Sequence, residues 1–212
     1  MVSLAKAAKK PRPKNSSAEP RWRVDVVAIG ASAGGFPAIL KVLPALSTDA
    51  PAVLIVQHLG PNRKSFLASL LASKTARVVK QAEHGDPIVA GTIYVCPPDQ
   101  HMLVARSKIE LSHSELVNFS RPSIDLLFES VAGHYGTRCM GVILSGSNHD
   151  GAVGMRAIRQ VGGITVAQLP DSAEFPIMPQ ASIDTGCIDF IAPLDKLGSK
   201  IMRLCVGNHR YS

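Results

Sequence analysis

The chain has 212 residues, is 46% hydrophobic and carries a formal net charge of +7. That is enough apolar content for one domain with a full core plus a tail. No uninterrupted apolar run reaches the ~18 residues of a membrane helix, and the basic start lacks the apolar stretch of a signal peptide. Cys96, Cys139, Cys187 and Cys205 are scattered without a C-x-x-C pair, which argues against a disulfide frame or a zinc site. A soluble, cytoplasmic protein with no direct membrane insertion is expected.

The charge is unevenly placed. Residues 1–22 hold Lys6, Lys9, Lys10, Arg12, Lys14 and Arg21 against Glu19 alone, so the rest of the chain is close to neutral. Residues 1–21 are rich in proline, serine and lysine and have almost nothing to bury. Such an arm could serve nucleic acid, but no aromatic residues interleave with its charges and no binding fold follows. The expected organisation is a basic, disordered tail over 1–21, a single domain over 22–212, and no nucleic-acid partner.

The domain opens on Val24-Asp25-Val26-Val27-Ala28-Ile29, an apolar run that stops at glycines and so predicts a buried parallel strand. The stretch from Phe36 to Val42 has helical spacing, with Pro37 in its first turn. Between them Gly30-Ala31-Ser32-Ala33-Gly34 spells G-x-S-x-G, the spacing of a nucleophile elbow. Small neighbours let such a turn close sharply, expose the hydroxyl and aim backbone N–H groups at a developing oxyanion. Ser32 could equally cap a helix or help cradle a phosphate. A dinucleotide site would need G-x-G-x-x-G and an acidic residue about 20 positions on, and neither is present.

Ala52 to Val56 predicts a second buried strand, ending in Gln57-His58. Leu59-Gly60-Pro61-Asn62 reads as loop, and Ser65 to Leu71 as helix. A strand–helix–strand crossover demands parallel pairing. Ser32 and His58 therefore fall just past the carboxyl ends of neighbouring strands, where open α/β sheets place their chemistry. His58 stands where a general base for Ser32 would have to be.

From Arg77 to Tyr94 short strands are expected, joined by turns at Gly85-Asp86-Pro87 and Ala90-Gly91. His101 to Ala105 and Lys108 to Leu111 predict an antiparallel hairpin about Arg106-Ser107. His84, His101 and His113 lack metal-ligand spacing and are expected on the surface or in loops. A helix is predicted from Pro122 to Glu129, with Arg121-Pro122-Ser123 as candidates for the rim. Met140 to Leu144 predicts a third buried strand, and residues 145–151 turn tightly into a helix from Ala152 to Arg159. Asp150 can cap that helix, or orient a histidine as the third member of a triad. His149 is a rival base or orienter.

The GASAGG turn, the Gln57-His58 strand end, Arg121-Pro122-Ser123-Ile124-Asp125, the strand–turn ending in Asp150-Gly151, and Met178-Pro179 together resemble the catalytic domain of CheB-type chemotaxis protein-glutamate methylesterases. The resemblance runs from about Val24 to Leu204, with the motifs in the family's order. It implies an α/β fold: a doubly wound, mostly parallel sheet with helices on both faces and an antiparallel hairpin. It assigns Ser32 as nucleophile, His58 as base and Asp150 as orienting acid, with no metal or cofactor. The oxyanion would be held by backbone N–H groups of Ala33 and of the Ser147 loop. The implied activity is hydrolysis of glutamyl γ-methyl esters on the signalling helices of methylated chemoreceptors, and the same acyl chemistry extends to glutamine deamidation.

Two departures from the family pattern stand out. Its G-M-G-x-D-G loop reads Gly146-Ser147-Asn148-His149-Asp150-Gly151 here, with Ser147 and Asn148 beside the expected oxyanion site. A receiver domain, common ahead of the family's catalytic domain, is larger than the tail over 1–21, so no built-in phosphorylation control is expected. A docking module with weak or no catalysis, and a serine hydrolase of another ester, are the alternatives.

Overall fold

The computed structural model describes residues 24–58 and 66–206. The tail expected over 1–21 and the loop expected over 59–62 lie outside them. In chain order the elements are β1 (Val26–Ala31), α1 (Gly35–Val42), β2 (Ala52–Gln57), α2 (Leu67–Ala72), β3 (Val78–Gln81), β4 (Thr92–Val95), β5 (His101–Ala105), β6 (Lys108–Ser112), α3 (Ile124–Tyr135), β7 (Cys139–Ile143), α4 (Ala152–Gln160), β8 (Ile164–Gln168), α5 (Ile177–Asp184), β9 (Phe190–Ala192) and α6 (Leu194–Val206).

Seven strands form one sheet in the order β3-β4-β2-β1-β7-β8-β9, and every pairing in it is parallel. β5 and β6 pair antiparallel as a separate hairpin that does not join the sheet. β1, β2 and β7 are buried along their whole length, which is why their sequences read as continuous apolar runs rather than alternating ones.

Side chains leave β1 alternately toward two apolar layers. Val27, Ile29 and Ala31 join Ile39, Val42, Leu71, Leu197 and Ile201, from α1, α2 and α6. Val26 and Ala28 face Leu127, Phe128, Met155 and Met178 from α3, α4 and α5, with Met102 and Ile109 of the hairpin. Each fully buried aliphatic or aromatic side chain contributes about 1.5–3 kcal/mol, so both faces of the sheet are sealed. The sheet is doubly wound, with helices on both faces.

The winding changes direction at β1. Strands β2, β4 and β3 extend the sheet to one side of it, and β7, β8 and β9 to the other. Past the carboxyl ends of the strands, such a reversal opens a crevice between the diverging connections. Ser32 follows β1 directly, and Asp150 lies in the connection from β7 to α4.

Candidate active site

Three side chains converge in that crevice. Ser32 Oγ lies 3.2 Å from His58 Nδ1, and His58 Nε2 lies 2.9 Å from Asp150 Oδ2. Asp150 is acceptor-only when ionised, so the ring proton sits on Nε2 and is donated to the carboxylate. The Nδ1 lone pair is then left to accept the Ser32 hydroxyl proton. The ring thus presents its two nitrogens in the opposite sense to the serine-protease template, where Nε2 serves the nucleophile. The 3.2 Å separation is long for an O–H donor, as is common before substrate tightens a site.

Main-chain contacts set the spacing. The His58 N–H donates to the Ala31 carbonyl at 3.0 Å, and the Ser32 N–H to the Ser145 carbonyl at 3.0 Å. Gln57, whose polar side chain ends an otherwise apolar strand, donates from Nε2 to the carbonyls of Ser32 at 2.7 Å and His58 at 3.0 Å. Gly34, at φ 66, caps α1 in the left-handed region. A Cβ there would stand 2.7 Å from Ser145 Oγ. That hydroxyl donates to the Ala33 carbonyl at 2.8 Å and accepts the Phe175 N–H at 2.9 Å, tying the nucleophile turn to the segment before α5.

Asp150 is buried, its side chain fully enclosed. Besides His58, it accepts the N–H of Ile124 at 2.7 Å, the N–H of Asp125 at 2.9 Å and the hydroxyl of Ser123 at 3.2 Å. Burial pushes its carboxyl up, but the hydrogen bonds from His58, Ile124 and Asp125 outweigh that and hold it below the usual carboxylate value. His58 first, and then the leading amides of α3, therefore favour its ionised form.

The remaining candidates sort plainly. Asn148 is half-buried, with Nδ2 3.4 Å from His58 Nδ1 and Oδ1 accepting the Asp150 N–H at 3.2 Å. Ala33 is half-buried beside Ser32, and Ser147 is exposed. His149 is exposed, and His58 rather than His149 lies between Ser32 and Asp150. Of the three rim candidates, Ser123 reaches the site. Arg121 instead binds Asp99 at 2.8 Å and the carbonyls of His113 and Ser114.

His101 corrects an expectation. It is fully buried rather than a surface or loop residue. Its Nδ1 accepts the Ser123 N–H at 3.1 Å, and its Nε2 donates to the Glu115 carbonyl at 3.0 Å. Both ring nitrogens are satisfied, which is what lets an imidazole sit in the interior. His84 and His113 are exposed, as expected. Among the described residues no group of three or more His, Cys, Asp or Glu side chains could hold a metal ion, and no helix is long and apolar enough to cross a membrane. The four cysteines are free thiols.

The sequence matches the model of the CheB methylesterase family over residues 27–201. The chain belongs to that family. A CheB catalytic domain from Thermotoga maritima, solved by crystallography, superposes with a TM-score of 0.81 at 29% identity, covering 85% of this chain and 98% of that one. A Leptospira interrogans relative, provisionally named protein-glutamate methylesterase/protein-glutamine glutaminase, is 38% identical over 186 residues, 87% of this chain and 96% of its own. Protein-glutamate methylesterase/protein-glutamine glutaminase 1 of Burkholderia pseudomallei is 41% identical over 181 residues, 84% of this chain and 50% of its own. The chain thus spans nearly all of the Leptospira relative and about half of the Burkholderia one. The CheB fold and this chain's architecture agree.

Proposed function

We propose that the chain is a serine hydrolase that removes methyl groups from glutamyl γ-methyl esters on chemoreceptor signalling helices, with Ser32, His58 and Asp150 as its triad. The observation that carries this reading is the continuous path from Ser32 Oγ through His58 to Asp150, at 3.2 Å and 2.9 Å. Family membership supplies the ester class, and the names of the relatives supply the glutamyl substrate.

In this mechanism Ser32 Oγ attacks the ester carbonyl as His58 Nδ1 takes its proton. Asp150 stabilises the imidazolium that results. Collapse of the tetrahedral intermediate expels methanol, which takes the proton from His58 and leaves a glutamyl ester on Ser32. A water molecule, deprotonated by the same imidazole, then releases the glutamate and restores Ser32. The N–H groups of Ala33 and of the Ser147 loop are the oxyanion donors in this reading. The Ser32 N–H is not one of them, because it is bound to the Ser145 carbonyl. With glutamine in place of the ester, the same steps release ammonia. Free thiols support action in the reducing cytoplasm.

The test is methanol release from methylated chemoreceptor signalling fragments by the purified chain. Release that depends on Ser32 supports the reading. Labelling of Ser32 by a fluorophosphonate without methanol release would point to a different ester, and neither labelling nor release would leave a docking module.

A further inference from the structure

The helices on either side of the orienting acid cap each other. Asp150, two residues ahead of α4, accepts the Ile124 and Asp125 N–H groups of the first turn of α3 at 2.7 Å and 2.9 Å. Asp125, in that turn, accepts the Gly154 N–H from the first turn of α4 at 2.7 Å. First-turn amides have no intrahelical acceptor and carry partial positive charge, so each helix is closed by a carboxylate from the other. The approach is tight. A Cβ on Gly154 would lie 2.5 Å from Phe128 Cβ and 3.1 Å from the Asp125 Cα. Asp125 is 4% exposed, and its second oxygen faces the Asn118 amide at 3.4 Å. It is a buried carboxyl one layer behind the triad.

We propose that Asp125 is a positioning residue of the hydrolytic reaction, fixing the start of α4 and the Asp150 carboxylate and so acting on His58 through Asp150. The inference rests on the reading of Ser32, His58 and Asp150 as a triad.

Its charge matters as well as its place. Burial pushes the Asp125 carboxyl up to about 6, the Gly154 N–H works against that, and the nearby Asp150 adds to it. The titratable groups facing this pair are Asp150 itself, His58 beyond β2, and His101 on β5, which binds the neighbouring Ser123 amide. Ionised, Asp125 places a second negative charge behind Asp150 and strengthens the hold on the imidazolium at His58. Protonated, it withdraws that support.

Phosphonylation of Ser32 by a fluorophosphonate, followed from about pH 5 to about pH 9 in the full chain, tests this. Asp125→Asn keeps an oxygen for the Gly154 amide but never ionises. Its plateau rate should fall about threefold to tenfold, and the midpoint of its pH–rate profile should move down by roughly half a unit. Asp125→Ala should lose about thirtyfold or more, with the midpoint moved the same way. A purely structural role would lower the plateau and leave the midpoint in place. Asp125→Asn with the parent's midpoint therefore overturns the proposal, whatever its plateau. If Asp125→Ala fails to fold, Asp125→Asn still decides. Ser32→Ala serves as the control: labelling that persists there overturns the triad reading and this inference with it, whereas a parent-like midpoint in Asp125→Asn overturns only the role of Asp125.

Discussion

The side-chain amide of Gln57 donates to the main-chain carbonyl of Ser32 at 2.7 Å, across 25 positions of sequence. The same nitrogen reaches the His58 carbonyl, so one side chain holds the backbones of Ser32 and His58 together. Gln57→Leu should leave both carbonyls without that donor. It should lower the hydrolysis rate about tenfold and cost about 1–3 kcal/mol of stability. Rate assays paired with urea melts check this, and an unchanged rate would remove Gln57 from the positioning of the site.

Ser32 is a half-buried hydroxyl at the sheet rim and contributes little to either apolar layer. Ser32→Ala should abolish hydrolysis and leave the melting temperature within about 4 °C of the parent, the shift that about 1 kcal/mol produces in a domain of this size. Hydrolysis at a comparable rate in the variant would refute the nucleophile assignment.

His58 and His149 are distinguishable by substitution. His58→Gln should lower kcat/KM by about three orders of magnitude or more, since base and orienting contact go together. His149→Gln, on an exposed side chain, should change it by less than about threefold. The opposite ranking would move the base to His149.

Gly34 is the residue whose conformation the nucleophile turn cannot do without. Gly34→Ala imposes a side chain at φ 66 and brings a Cβ within 2.7 Å of Ser145 Oγ. The left-handed conformation alone costs about 1–2 kcal/mol, and displacement of Ser145 should misplace Ser32. Activity should fall more than stability does, as parallel kinetic and melting measurements would reveal.

The two buried carboxyls act on stability with opposite signs. Asp150 titrates below its ordinary value, so its contribution is present above the unfolded-state pKa of ~3.9 and is lost as pH falls through the folded value. Asp125 is raised to about 6. The folded state therefore holds its proton more tightly, and the stability it contributes at low pH is lost as pH rises from ~4 to ~6. Asp125→Asn lacks that loss. Its stability relative to the parent should therefore rise between about pH 4 and about pH 7. Urea midpoints across that range measure it, and a difference independent of pH would contradict the sign.

The convergence of Ser32, His58 and Asp150 was legible because each directly follows or closely trails an apolar run, and the crossover rule sends parallel strand ends to one rim. β1, β2, β7, the hairpin and α4 formed within a residue or two of where pattern placed them. Strand order was less accessible. Periodicity says that β3 and β4 are short strands, not that β4 lies inside β3 next to β2. The elements beyond α4 carried weak signals: α5 includes Pro179 and has no clean apolar stripe, and β9 has only three residues. His101 was misjudged because its burial depends on two distant partners, the Ser123 amide and the Glu115 carbonyl. Asp125 stood out only as the end of the Arg121–Asp125 motif, and nothing local shows that it reaches Gly154 on another helix.

The position of β1 in the middle of the sheet has a consequence for how the site comes apart. Ser32 and His58 follow adjacent central strands, and Asp150 trails the next one, while the short strands β3 and β9 form the two edges. Edge elements open in partial fluctuations that never reach the centre, whereas central amides are released to solvent only when the whole domain unfolds. In hydrogen–deuterium exchange, the amides of β1, β2 and β7 should be the slowest group, and those of β3 and β9 among the fastest of the strands. A molecule that has frayed at both edges would still hold Ser32, His58 and Asp150 in register.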